Sequence, residues 1–243
     1  VPRPGKTTTL VVTSTERLSP GMIRVHFCSD DLSAFAGKTD TDTYLKLMLG
    51  SPEAPVVRTY TALHADVEAG TLDIDFVVHG DEGYAGPWAA AAKPGDVLEV
   101  RGPGSGYAPD PTADWHLLAG DEAGLPAIRA ALEALPAGAR GFAVIEAYGA
   151  DHVQPLEAPA GVEVQWVTDG QLEAAVRALP WREGRVQVFV HGEAEVTMHG
   201  LRPYLLKERG VPREDASISG YWRRGRTEET FREWKQELAA AEG

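Results

Sequence analysis

Arg58, Thr59, Tyr60 and Thr61 close an extended run, Val56-Val57-Arg58-Thr59-Tyr60-Thr61, whose β-branched and aromatic residues predict a strand. Side chains alternate across a strand, so Arg58 and Tyr60 share a face. A guanidinium pairs bidentately with phosphate oxygens, and a phenol ring stacks on a flat heterocycle. Those are the two needs of a flavin nucleotide. Thr61 adds a short hydroxyl near such a ring. Taken alone, the tetrapeptide fits an ordinary half-buried strand with one solvated arginine better.

Three further stretches carry candidate chemistry. Gly120-Asp121-Glu122-Ala123-Gly124-Leu125-Pro126 joins a strand to a helix, where open α/β sheets bind ligands beyond their strand ends. It is not the G-x-G-x-x-G fingerprint, so a nucleotide site and a bare turn with an acidic cap both fit. His191-Gly192-Glu193 closes a later strand at the same edge, with a small residue that would let a nicotinamide approach. Ser219-Gly220-Tyr221-Trp222-Arg223-Arg224-Gly225-Arg226 sets two aromatics beside three arginines. It reads as a solvated basic turn or as a place to hold an anionic substrate. The seven histidines lack metal-ligand spacing, and Gly102-Pro103-Gly104-Ser105-Gly106 fits neither a nucleophile elbow nor a P-loop.

The elements that must position these residues change character along the chain. From Thr7 to about Gly102 the signals are strands. Ile23, Val25 and Phe27 alternate, as do Leu45, Leu47 and Leu49, and Leu72, Ile74, Phe76 and Val78. Lys46 then lies opposite Leu45 and Leu47, with Tyr44 and Met48, and Asp73 and Asp75 point outward. With Thr7–Arg17, Val56–Thr61 and Val97–Val100 these make six short strands, the spacing of a closed antiparallel barrel. Gly83-Tyr84-Ala85-Gly86-Pro87-Trp88 runs into an Ala-rich helix, either a phosphate-binding start or a plain connection. The Gly- and Pro-rich stretch from Gly102 to Pro111 marks a domain boundary. Beyond it strands alternate with helices: strands at Trp115–Ala119, Phe142–Ala147, Val162–Val167, Val186–His191 and Ala216–Ser219, and helices at Gln171–Leu179 and around Leu201–Glu208. A last helix carries Phe231, Trp234 and Leu238 on one face. That order predicts a parallel sheet covered by helices.

A net charge of −13 argues against nucleic acid or an anionic membrane as the main partner. No apolar run approaches the ~20 residues that span a bilayer, so no membrane insertion is expected. The N-terminus lacks a signal-peptide core, and the chain reads as cytoplasmic. The single cysteine, Cys28, can form no internal disulfide and cannot alone hold a cluster or a structural zinc.

Together the motifs resemble the siderophore-interacting protein family, flavin-dependent ferric-siderophore reductases related to the ferredoxin-reductase superfamily. The resemblance covers nearly the whole chain. It rests on Tyr44-Leu45-Lys46-Leu47, Arg58-Thr59-Tyr60-Thr61, Asp75-Phe76-Val77-Val78-His79-Gly80, Trp88-Ala89, Gly102-Pro103-Gly104, Gly120-Asp121-Glu122 with Leu125-Pro126-Ala127-Ile128, and Gly220-Tyr221-Trp222-Arg223-Arg224-Gly225. It implies an FAD-binding barrel over residues 1–111 and an NAD(P)H-binding α/β domain over 112–243, with substrate over the flavin between them. Carried over, Arg58, Tyr60 and Thr61 hold the flavin, His79 and Gly80 lie along its ribityl and phosphate region, and Ala85, Gly86 and Trp88 form the pyrophosphate turn. Asp121, Glu122 and Glu193 fall at the nicotinamide side. Thr59, Asp75, Val77 and Trp222 complete the implied cofactor contacts. Lys46 and Arg224 match a basic cluster for the siderophore, whose third cation is not found in Ser105-Gly106-Tyr107.

The implied function is NAD(P)H-driven reduction of siderophore-bound ferric iron to Fe(II) through FAD, by a protein favoured to be a monomer. The residues leave open a general flavin reductase of quinones or redox proteins, and a non-enzymatic siderophore-binding module.

Overall fold

The computed structural model describes residues 7–51, 54–78 and 83–225. The expected terminal helix with Phe231, Trp234 and Leu238 lies outside the described residues, as do His79 and Gly80. The chain forms two compact units. One gathers Val1–Pro109, Arg129–Leu135 and Tyr148–Glu157, and the other Asp110–Ile128, Pro136–Ala147 and Ala158–Gly243.

The first unit is built on six antiparallel strands: β1 (Thr7–Ser19), β2 (Met22–Cys28), β3 (Tyr44–Ser51), β4 (Ala54–Asp66), β5 (Thr71–Val77) and β6 (Val97–Gly104). They close into a barrel in the order β1-β2-β5-β4-β3-β6, as the spacing of strand signals predicts. The alternating positions form its core: Val25, Phe27, Leu45, Leu47, Leu49, Leu72, Ile74 and Phe76 are buried. Burying each such side chain contributes ~1.5–3 kcal/mol. Helix α1 (Ala85–Ala91) lies on this core through Trp88, whose ring centroid is 6.2 Å from Phe27 and 5.6 Å from Phe76.

On the outer face of β2 and β5, Arg24 and Asp75 sit directly opposite each other, and Asp73 lies between two imidazoles. His26 Nδ1 is 2.7 Å and His64 Nδ1 2.9 Å from its carboxylate.

The second unit holds a parallel sheet of β7 (Trp115–Asp121), β8 (Arg140–Glu146), β9 (Gly161–Val167), β10 (Val186–Glu193) and β11 (Ala216–Trp222), in the order β11-β10-β7-β8-β9. The apolar runs Leu117-Leu118-Ala119 and Val188-Phe189-Val190 are wholly buried, as strands covered on both faces require. β11 runs past the expected Ser219 because β10 itself continues to Glu193, which pairs with Trp222 after a bulge. The helical stretch expected around Leu201 begins earlier, at Glu195. It is wound with wide turns over Glu195–Leu201 and Tyr204–Glu208, flanking Pro203, whose nitrogen cannot donate to a helix ladder. The strand order reverses between β7 and β10, with β8 and β9 added on one side and β10 and β11 on the other, which makes the C-terminal ends of β7 and β10 the switch point.

Candidate functional site

The ladder between β3 and β4 sets the geometry of the Arg-Thr-Tyr-Thr stretch. Arg58 faces Leu47 and Tyr60 faces Leu45, so both lie on the side of the barrel core. Tyr60 rests on Phe76 with centroids 4.8 Å apart. The half-buried Arg58 donates through Nη1 to the Val57 carbonyl at 3.0 Å, and its guanidinium carbon lies 5.7 Å from the ring centre of Tyr84, a residue 51% exposed. Thr59 and Thr61 lie on the other face, opposite Lys46 and Tyr44; Thr61 is buried and Thr59 exposed. One cation, two phenol rings and two hydroxyls thus gather around one strand. This donor set fits a flavin nucleotide: charge for the phosphates, ring faces for the heterocycle and a hydroxyl for its polar edge. Tyr84 is an addition that the sequence did not single out.

Beside it, Ala85 and Gly86 are buried at the start of α1. A Cβ on Gly86 would lie 3.1 Å from the Val77 carbonyl, so glycine lets the helix approach the end of β5 closely. The half-buried Trp88 packs against the barrel core at the start of the helix. The Asp75 side chain is fully buried and takes both Arg24 N–H groups, Nε to Oδ1 at 2.7 Å and Nη2 to Oδ2 at 2.9 Å, with Arg129 Nε 3.9 Å away. A carboxylate enclosed by two guanidiniums braces the barrel.

The outer face of β3 carries a feature the sequence concealed. Lys46 pairs in register with Arg101 of β6, and both are exposed. Their further cross-strand neighbours are Thr59 and Thr7, so no acid stands in the row. Tyr44 lies next along the same face. Its ring centre is 5.8 Å from Lys46 Nζ and passes over Gly104, where a Cβ would come within 2.5 Å of the phenol carbon. Like charges directly opposite destabilise a sheet, so this pair, with no acid directly across from it among the described residues, marks a place suited to an anion.

In the second unit the strand ends converge on Asp121. Its Oδ1 accepts the backbone N–H of Ala123 at 2.9 Å. Its Oδ2 accepts the backbone N–H of Glu193 at 2.8 Å and the Trp222 indole N–H at 2.7 Å. Glu193 in turn accepts the backbone N–H groups of Glu195 at 2.6 Å, Val196 at 3.1 Å and Arg224 at 3.0 Å. The Arg224 residue itself is exposed, and Glu122 is buried. Gly120 and Gly124 are glycine because a Cβ on either would collide with the His191 carbonyl. The structure therefore brings Asp121, Glu193 and Trp222 together at the switch point, as a network that ties β7, β10 and β11.

Burial pushes the Asp121 carboxyl up to about 6, outweighing its donors Trp222, Glu193, Gly124 and Ala123. A carboxylate raised in the folded state binds more protons there than when unfolded. Its contribution to stability therefore falls as pH rises from its ordinary value of 3.8 to about 6, by ~1–3 kcal/mol. Asp121→Asn is expected to flatten that part of the urea-midpoint profile. It should also destabilise the unit at pH 7, since the amide nitrogen cannot accept from two of the donors. An unaltered slope between pH 4 and 6 would show that Asp121 titrates normally.

A six-stranded barrel followed by a five-stranded parallel sheet with this switch point is the ferredoxin-reductase-like fold. The ferredoxin reductase of carbazole 1,9a-dioxygenase shares it, with a TM-score of 0.73 at 16% identity over 91% of this chain and 71% of that one. The family profile described as siderophore-interacting FAD-binding domain matches residues 51–107, and that described as siderophore-interacting protein matches residues 113–225. An uncharacterized protein of Mycobacterium tuberculosis is 46% identical over 95% of both chains. Ferric vibriobactin reductase ViuB of Vibrio cholerae is 35% identical over 74% of this chain and 69% of its own. The siderophore-interacting protein SipS from Aeromonas hydrophila superposes with a TM-score of 0.84 at 29% identity, covering 97% of this chain and 99% of that one.

The chain belongs to the siderophore-interacting protein family, and FAD is its cofactor. Among the described residues no helix is long and apolar enough to cross a membrane.

Proposed function

We propose that this chain is a reductase that uses NADH or NADPH to reduce ferric iron held by a siderophore, releasing it as Fe(II) in the cytoplasm. The observation that carries this reading is the relation to ferric vibriobactin reductase, in a chain matched along both halves by the profiles of one family. FAD, when bound, supplies the conversion of a two-electron hydride donor into single electrons for iron. In this reading residues 1–111 bind FAD and 112–243 bind the nicotinamide. Arg58 neutralises phosphate, Tyr60 and Tyr84 offer ring faces, and Thr61 offers a hydroxyl to the ring's polar edge. Ala85, Gly86 and the Val77 carbonyl shape the turn beside it. Asp121, Glu193 and Trp222 fix the strand ends where open α/β sheets bind nucleotides.

Lys46 and Arg101 supply positive charge for an anionic ferric chelate in an otherwise acidic protein. Arg224 of the second unit remains a separate candidate for the same role. Exposed charges steer association and are screened over ~8 Å at physiological salt. Lys46→Ala with Arg101→Ala is therefore expected to raise KM for an anionic ferric siderophore several-fold at low salt and little at high salt. KM for a neutral one and the FAD content should stay unchanged. Relieving a like-charge pair should leave the fold as stable or stabilise it by ~0.2–1 kcal/mol. The check is steady-state Fe(II) release, trapped by a ferrous chelator, with both siderophore classes. Wild-type KM for the anionic chelate at low salt would remove this row from the substrate site.

A further inference from the structure

In chain order the parallel sheet starts with β7, adds β8 and β9 on one side, and returns to add β10 and β11 on the other. In sheets wound this way a dinucleotide lies across the strand ends, and an acid about twenty residues beyond the first glycine turn takes the 2′-hydroxyl of the adenosine ribose. Here β8 is the second strand, and Glu146 is its last residue, about twenty positions after the Gly120–Gly124 turn. The backbone N–H of Gly170, just past the end of β9, donates to Glu146 Oε1. That bond fixes the carboxylate at the C-terminal edge of the sheet. Its Oε2 accepts no hydrogen bond among the described residues.

The charge around that edge is the second observation. Asp169, one residue before the glycine that holds Glu146, is exposed, and Thr168 Oγ1 donates to its Oδ2 at 2.9 Å. From Gly141 to Val176 the chain contains no Lys or Arg, while it carries Glu146, Asp151, Glu157, Glu163, Asp169 and Glu173. The cations that flank this stretch are distant or engaged. Arg140 opens β8 at the opposite end of the strand, and Arg177 pairs with Glu173 at 2.8 Å and Glu208 at 3.3 Å. Arg223 and Arg224 follow β11, with β10 and β7 between them and β8. Arg223 is also paired with Glu195 at 3.0 Å.

We propose that Glu146, supported by Asp169, makes this chain select NADH over NADPH. The inference rests on the reading that residues 112–243 bind a nicotinamide nucleotide, and it adds which one. The two donors differ only by a phosphate on the 2′-oxygen of the adenosine ribose. A 2′-hydroxyl is a donor that the open carboxylate oxygen accepts. A 2′-phosphate has no hydroxyl to donate there and brings nearly two negative charges against carboxylates, with no guanidinium or ammonium at hand to pair with it. Such a site selects by repelling the wrong ligand as well as by binding the right one.

The test is reduction of the FAD-loaded protein by NADH and by NADPH without oxygen, following flavin absorbance against nucleotide concentration. The expected result is a preference for NADH of about tenfold or more, carried mainly by the half-saturating concentration. Glu146→Gln with Asp169→Asn keeps the side-chain shapes and an oxygen for the Gly170 N–H while removing both charges. It should narrow the preference about tenfold, chiefly by lowering the half-saturating concentration of NADPH. NADPH reducing the flavin as efficiently as NADH would overturn this inference and leave the reductase reading standing. Reduction by neither nucleotide would overturn the reading and the inference together. A preference unchanged in the double variant would leave Glu146 as a brace for the Gly170 turn and overturn the proposal. Should the double variant fail to fold, Asp169→Asn alone decides, since Asn tolerates the left-handed backbone that Asp169 adopts at φ 59°. It should narrow the preference several-fold, and an unchanged ratio would overturn the proposal.

Discussion

Replacing Asp75 with alanine is expected to cost about 3–5 kcal/mol of unfolding free energy, the largest effect of any substitution considered. The side chain is wholly enclosed and bonded at both oxygens to Arg24, with Arg129 3.9 Å away. Its removal takes away the one acid hydrogen-bonded to Arg24 and leaves two mostly buried guanidiniums, each 14% exposed, with only more distant acids such as Asp73 and Glu133. Most of the loss comes from stranding those cations, because the desolvation of a buried pair largely cancels its attraction. Asp75→Asn keeps the shape and loses the charge, so it should fall between wild type and alanine. Urea denaturation followed by circular dichroism measures the effect. A loss below ~1 kcal/mol for the alanine variant would mean that the pair is solvated. Once folded, Asp75→Asn should bind FAD as wild type does, which separates a bracing residue from a cofactor contact.

Arg58→Ala is expected to do the reverse: little to the fold and about ten- to a hundredfold to FAD affinity. A charge-assisted contact to phosphate is worth ~1.5–3 kcal/mol, which gives that range. Arg58 is half-buried at the end of a barrel whose core it does not build, so the strand should persist without it. Titrating FAD into the apo-protein while following flavin fluorescence reads the dissociation constant directly. An unchanged constant would take Arg58 out of the cofactor site, and a collapse of the barrel would make it structural.

The alternation of Leu45, Leu47 and Leu49, and of Leu72, Ile74 and Phe76, made the barrel legible, because period two is a local property of the chain. It also placed Asp75 correctly on the outer face of β5. What covers a face depends on elements far away in sequence, and alternation says nothing about Arg24 or Arg129. The same limit hid Arg101. Its partnership with Lys46 depends on the register between β3 and β6, which the closure of the barrel sets. Asp121, Glu193 and Trp222 could be assigned to strand ends, but not to one hydrogen-bonded network. Gly120 and Gly124 read as a nucleotide turn, whereas their lack of a side chain is what lets β7 close against the His191 carbonyl.

The proposal that the chain passes electrons from a nicotinamide to siderophore-bound iron is tested most directly by its two half-reactions, measured separately without oxygen. NADH or NADPH should bleach the yellow FAD absorbance of the purified protein. A ferric siderophore added next should restore the colour, with one ferrous ion captured by a ferrous chelator for each electron the nicotinamide gave. Bleached protein that stays bleached in the presence of ferric siderophores, anionic and neutral alike, would contradict the account.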